Sequence, residues 1–170
     1  MPQAMESCLD KVKTLEETRA AVQEAKAAGK RVVLANGCFD LLHGGHVSYL
    51  EDAKSRGDVL VVGLNSDRSM REIKGPTRPI VPEAERAELL AYIEAVDIVV
   101  LFDEPNCENL LEALRPDVHA KGTDYTADTV PEREVNRRLG IETYIAGNAK
   151  EGATKDIVKT VLERYGGRNP

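Results

Sequence analysis

An α/β fold built on one parallel sheet is the architecture this sequence predicts, and three observations carry it. Short apolar runs alternate with helix-spaced segments along the whole chain, the pattern of strand-helix-strand units whose strands lie parallel. Two of the runs, Val59-Leu60-Val61-Val62 and Ile98-Val99-Val100-Leu101, are apolar without alternation, as in strands covered by helices on both faces. A length of 170 residues with 42% apolar content suffices for one core, and so for one domain.

The elements follow in order. Thr14-Leu15-Glu16-Glu17 reads as a capping box opening a helix that ends near Gly29, which makes residues 1–29 an N-terminal accessory helix. Arg31-Val32-Val33-Leu34-Ala35 is short, β-branched and apolar, a first strand, and Val47 to Ala53 resumes helical spacing for a helix over 46–56. Strand 58–64, a short helix near 67–73, helix 82–94 and strand 97–102 come next. The Gly-Pro-rich stretch from Lys74 to Pro82 is a loop. Helix 106–114, strand 117–120, a short helix near 131–138, strand 141–145 and helix 153–165 complete the series. The result is a five-stranded parallel sheet in a single Rossmann-like, doubly wound domain over 30–165, with 166–170 as a flexible tail.

Composition narrows the function classes. A net charge of −6 without a basic block argues against non-specific nucleic-acid binding. No run approaches the roughly 20 apolar residues of a membrane span, and Met1-Pro2-Gln3-Ala4-Met5-Glu6 lacks the basic and apolar regions of a signal peptide, so a cytoplasmic protein is expected. Cys8, Cys38 and Cys107 form no CxxC pair and fit reduced thiols, Cys38 as a packing residue rather than a nucleophile. GxGxxG and GxxxxGK[ST] are both absent, which disfavours a dinucleotide dehydrogenase and a P-loop kinase.

The most informative segment is Asn36-Gly37-Cys38-Phe39-Asp40-Leu41-Leu42-His43-Gly44-Gly45-His46, where two of three histidines flank a glycine pair as strand gives way to helix. The first amides of a helix lack intrahelical acceptors and its dipole is positive there, so a phosphate meets several donors at once. Glycine lets the phosphate approach the backbone. The competing readings are a helix cap beside a surface histidine, or a metal pair. A structural zinc needs about four protein ligands, and only His119 and the scattered cysteines remain to supply them, so no metal site is expected. Every candidate motif falls after a strand, the edge where open α/β sheets hold ligands.

The string Gly37-Cys38-Phe39-Asp40 with His43-Gly44-Gly45-His46 is similar to the GxFD and HxGH signature of the nucleotidyltransferase superfamily that includes cytidylyltransferases. Asn65-Ser66-Asp67, Lys74-Gly75 with Arg78-Pro79, Glu94-Ala95-Val96-Asp97, and Arg115-Pro116-Asp117 with Lys121-Gly122-Thr123-Asp124-Tyr125 narrow the likeness. Over roughly residues 14 to 162 the chain resembles the adenylyltransferase domains of heptose biosynthesis. The resemblance implies transfer of AMP from ATP to heptose 1-phosphate, giving ADP-heptose and pyrophosphate with no covalent protein intermediate. Such chemistry gains mostly from holding two anions in line and aiming donors at developing charge.

On that resemblance His43, His46 and Lys74 are the catalytic candidates. Asn36, Gly37, Cys38, Phe39 and Gly45 in the signature would hold the nucleotide, joined by Arg86, Lys121, Gly122 and Asn148. Asp40, Asn65, Asp67, Arg78 and Asp124 would hold the sugar phosphate. Plainer roles compete: Lys74 and Arg78 as solvated loop charges, Arg86 pairing with Glu83 or Glu85, Asp40 accepting backbone amides, Asn65 and Asp67 capping a helix, Asp124 organising a turn. His119 reads as structural. Where the family carries a segment rich in serine and threonine, this chain has Gly152-Ala153-Thr154-Lys155-Asp156-Ile157. Thr154 can still donate to triphosphate at a helix N-terminus, with Lys155 replacing the lost donor by a full charge. That departure motivates one alternative, a non-catalytic nucleotide sensor; the other is a cytidylyltransferase for glycerol phosphate or another polyol phosphate. Mg2+ is expected to arrive on the ATP phosphates, without a protein cage. A homodimer and a separate upstream sugar kinase are the expected partners.

Overall fold

The computed structural model describes residues 7–148 and 153–166. A 3-10 turn (Cys8–Lys11) leads into β1 (Val12–Lys13) and α1 (Leu15–Ala27). There follow β2 (Val32–Gly37), α2 (Gly44–Lys54), β3 (Val59–Asn65), α3 (Asp67–Lys74), α4 (Glu83–Ala91) and β4 (Ile98–Phe102). The chain closes with α5 (Glu108–Leu114), β5 (Val118–Gly122), α6 (Arg133–Leu139), β6 (Glu142–Ala146) and α7 (Thr154–Tyr165). Gly152 and residues 167–170 of the expected tail lie outside the described residues.

The sheet has six strands in the order β1-β4-β3-β2-β5-β6, all parallel, which corrects the expected five. The extra strand comes from the segment read as an accessory helix: Val12 and Lys13 pair with Val99 and Val100. Two residues carry no period, so nothing in the sequence marks them as strand. The helix itself forms as expected, with the Thr14 hydroxyl accepting from the Glu17 amide at 3.2 Å and the Glu17 carboxylate accepting from the Thr14 amide at 2.8 Å. It buries Thr18 and Val22, so it belongs to the packed body.

Strand geometry explains the unbroken apolar runs. Successive side chains point to opposite faces, so Val33, Ala35, Leu60 and Val62 meet Leu50 and Ala53 of α2 and Leu90 of α4. Val32, Leu34, Val61 and Val100 meet Val22 of α1, Leu111 of α5 and Val135 of α6 on the other face. A fully buried Val or Leu of this kind stabilises by about 1.5–3 kcal/mol, and both faces need their strand residues apolar. At Gly63 a β-carbon would lie 2.7 Å from Leu110 Cδ2, so α5 packs on β3 only over glycine.

The order reverses at β2, which pairs with β3 on one side and β5 on the other. Chain leaving β2 and β5 diverges from that point and opens a crevice beyond the carboxyl ends of the strands. Among the described residues no helix is long and apolar enough to cross a membrane.

Candidate active site

A cavity of ≈ 1430 Å³ occupies this crevice, bounded by the ends of β2, β5 and β6 and by the first turns of α2 and α7. The turn after β2 is tightly made. Phe39 takes a left-handed φ of 46°, and its ring would stand 3.1 Å from a β-carbon at Gly37, so any larger residue there would press the ring out of place by a few tenths of an ångström. The Phe39 ring in turn lies 5.2 Å from that of His46, and the rings of His43 and His46 stack at 3.9 Å.

His43 is the N-cap of α2, its Nδ1 accepting from the Gly45 amide at 3.1 Å. Accepting at Nδ1 places the proton of neutral imidazole on Nε2, which makes that nitrogen the donor. Cap and donor are therefore one residue, two readings the sequence set against each other. Both histidines are half-buried and line the cavity.

Lys74, Arg78, Lys121 and Lys155 bring positive charge to the cavity wall. Lys74 ends α3 and is exposed, as is Lys155 in the first turn of α7. Arg78 instead binds Asp40, Nε to Oδ2 at 2.5 Å. The amides of Ile80 and Val81 also donate to Asp40, each at 2.9 Å to Oδ1. Burial works to raise the Asp40 pKa, but these amides and the guanidinium outweigh it and hold the carboxyl below the usual carboxylate range. Asp40 and Arg78, expected to hold substrate, thus fix the 75–82 loop against the signature turn. The Thr154 hydroxyl donates to the Leu41 carbonyl at 3.4 Å, tying α7 to the same turn. Asn36, Cys38, Gly45, Asn65, Gly122, Asp124 and Asn148 also line the cavity. Burial pushes the Cys38 thiol up, so it stays protonated beside Asn65.

Two expectations are corrected. Arg86 has no exposed surface and does not line the cavity. Its guanidinium donates to the carbonyls of Val81 at 2.9 Å, Cys38 at 2.5 Å and Asn65 at 2.9 Å, and to Asp67 Oδ1 at 2.7 Å. It clamps the ends of β2 and β3 together instead of facing phosphate, and Asp67 is its counter-ion instead of a sugar contact. The spacing held this signal: Arg86, Ala87, Leu90 and Ala91 share the buried face of α4.

One group was missed. Cys107, His119 and Glu132, scattered in sequence, offer ligand atoms within 4.8 Å of one another, all buried. His119 Nε2 lies 2.9 Å from Asn36 Oδ1 and Nδ1 lies 3.0 Å from Asn136 Nδ2. Burial, and then the Lys121 charge, push its pKa down to about 4, so it is neutral. Burial likewise holds the Cys107 thiol protonated, and the Glu132 charge is met by Lys121 at 3.5 Å. The cluster is electrically balanced without a metal. It adjoins the cavity, whose wall includes Asn36, Lys121 and Glu132 itself.

Residues 34–159 match the family described as Cytidylyltransferase-like. The chain belongs to that family. Among cytidylyltransferase-like relatives it is 48% identical over 156 residues to the "Bifunctional protein HldE" of Geobacter sulfurreducens, an alignment covering 92% of this chain and 32% of that protein. It is 55% identical over 121 residues to the protein of the same name from Methylobacillus flagellatus, covering 71% of this chain and 25% of the relative. The chain therefore spans about a third or less of the length of these relatives. A crystal structure of the lipopolysaccharide core biosynthesis protein from Thermoplasma volcanium GSS1 superposes with a TM-score of 0.62 at 28% identity, over 72% of this chain and 100% of that one.

Proposed function

We propose that this cytidylyltransferase-like chain transfers AMP from ATP to heptose 1-phosphate, releasing pyrophosphate and forming ADP-heptose. The observation that carries the reading is the His43–His46 pair at the start of α2, opposite cavity-lining Lys121, Thr154 and Lys155. A sugar-phosphate oxygen attacks the α-phosphorus, the bond from that phosphorus to the β-bridging oxygen breaks, and pyrophosphate leaves. The attacking phosphate is already ionised, so no carboxylate base is needed. Nε2–H of His43, together with His46, donates to charge that builds on the phosphoryl oxygens. Lys121 and Lys155 hold the triphosphate, while Lys74 reduces the repulsion between the two anions.

Magnesium fits this site as a phosphate-borne ion, because, of the carboxylates lining the cavity among the described residues, Asp40 is committed to the loop and Glu132 is paired with Lys121, which leaves Asp124. Bound there, the ion neutralises triphosphate charge. The fold reads as doubly wound, supported by the reversal at β2 and by helices on both faces. We further propose a cytoplasmic homodimer whose 1-phosphate substrate is supplied by a sugar kinase.

A pyrophosphate-release screen of ATP, CTP, GTP and UTP against heptose 1-phosphate, glycerol phosphate and ribitol phosphate tests the assignment. Fastest release is expected for ATP with heptose 1-phosphate. A clear CTP preference would make the chain a cytidylyltransferase for a polyol phosphate, and no release from any pair would leave a nucleotide sensor.

A further inference from the structure

The nucleotide-transfer reading leaves one buried ion unexplained. Glu132 stands at the entrance to α6 with 2% of its surface exposed, and none of the sequence motifs includes it. Oε1 accepts from the Cys107 amide at 3.4 Å and from its thiol at 3.5 Å. Oε2 makes no hydrogen bond and faces Lys121 Nζ at 3.5 Å. Lys121 is itself only 7% exposed, at the exit of β5, with its ammonium 4.9 Å from the centre of the Tyr125 ring.

A carboxylate removed from water costs several kcal/mol unless a counter-charge and hydrogen bonds return that energy. A lysine side chain left to itself carries its ammonium toward solvent on a flexible stem. Here the ammonium is held at the cavity wall by a carboxylate 3.5 Å away that lines the same cavity and is almost wholly buried. The carboxylate is in turn fixed by the first amide of the segment that opens α5. We propose that Glu132 is a positioning residue for nucleotide binding: its buried carboxylate anchors the Lys121 ammonium, so that a triphosphate entering the cavity meets a cation already in place.

This rests on the ATP-dependent transfer proposed above. Losing the anchor affects binding more than chemistry, because Lys121 stands at the exit of β5 whereas the donors come from the histidine pair at the start of α2. Glu132 lines the cavity, so removal of its negative charge would by itself favour an anion, but the Lys121 ammonium 3.5 Å away already offsets that charge. Disordering the cation is therefore the larger effect.

The experiment is a double-mutant cycle of Glu132→Gln and Lys121→Met, read by ATP-dependent pyrophosphate release, by calorimetric binding of inorganic tripolyphosphate, and by melting temperature without ligand. Glu132→Gln, close to isosteric, is expected to raise KM for ATP tenfold or more with a smaller fall in kcat. Glu132→Asp, which keeps the charge on a shorter stem, should recover part of that loss. In the Lys121→Met background Glu132→Gln should add nothing to KM, because the residue acts only through the lysine. Lys121→Met alone leaves a bare buried carboxylate, so the double variant should melt above it. Wild-type KM in Glu132→Gln, or losses that multiply across the cycle, would overturn the proposal. If the wild-type chain releases no pyrophosphate from ATP, the function assignment fails instead. Tripolyphosphate binding and the melting series then still decide whether Glu132 holds Lys121 for an anion.

Discussion

At the residue scale the two site histidines carry different burdens. His43 caps α2 through Nδ1 and donates through Nε2, whereas His46 sits one turn inside the helix against Phe39. Replacing either with alanine should lower kcat on the order of a hundredfold, the usual cost of losing a donor to a developing oxyanion, with a much smaller change in nucleotide affinity. His43→Ala should also cost about 1 kcal/mol of stability from the lost cap, and His46→Ala should not pay that part. Steady-state kinetics and denaturant titrations on both variants check the split, and near-normal turnover in both folded proteins would remove them from catalysis. His119 makes a different demand. Burial and the Lys121 charge push its pKa down to about 4 from the ordinary 6.5, so the folded chain resists a proton that the unfolded chain accepts. Above pH 6.5 neither state binds it and nothing is lost. Between 6.5 and 4 the unfolded state gains, and stability should drain by up to about 3 kcal/mol. Urea melts across that interval should show a flatter dependence for His119→Gln than for the parent chain.

At the element scale the clamp on β2 and β3 is the feature most open to test. Arg86→Lys keeps the charge but cannot reach three carbonyls and a carboxylate from one planar fork. Stability should fall by about 3 kcal/mol, since buried acceptors lose their partners, and KM should rise with it because Cys38 and Asn65 line the cavity. A denaturation midpoint unchanged from the parent would contradict this. The same helix shows what could be read from residues alone and what could not. The apolar runs of β2, β3 and β4 stood out because both of their faces are buried, and the α1 capping box because it is local. Arg86 was misjudged since Glu83, Glu85 and Glu88 dress α4 as a charged surface helix, and only its registry with Leu90 betrays the burial. The Cys107, His119 and Glu132 cluster was invisible for a deeper reason. Contact between residues 12 to 25 apart depends on how strands are ordered, which no local pattern states. The signature turn was legible because its chemistry is contained within eleven consecutive residues.

At the scale of the whole molecule α7 stands apart, for none of its residues is buried while Val161, Leu162 and Tyr165 are 50%, 63% and 65% exposed. The proposed dimer would place this apolar face at its interface. Light scattering should report a dimer mass for the parent chain and a monomer mass for Leu162→Glu. A monomer in both would end the dimer proposal.

The two-residue strand β1 has a consequence at this same scale. Beyond it, β4 offers Ile98-Val99-Val100-Leu101-Phe102, five apolar residues in a row with β-branched centres and no charge. Such a segment with its amides and carbonyls bare is a template for cross-β growth, and proteins usually blunt such edges with short strands and lysine. Val12 and Lys13 meet both criteria, pairing at the middle of β4 and ending in an ammonium. A chain trimmed to begin at Thr14, which loses β1 but keeps α1 in the packed body, should therefore keep its cavity yet turn thioflavin-positive on storage. Val12 and Lys13 would then matter chiefly as protection against self-templating, a property invisible to any assay of turnover.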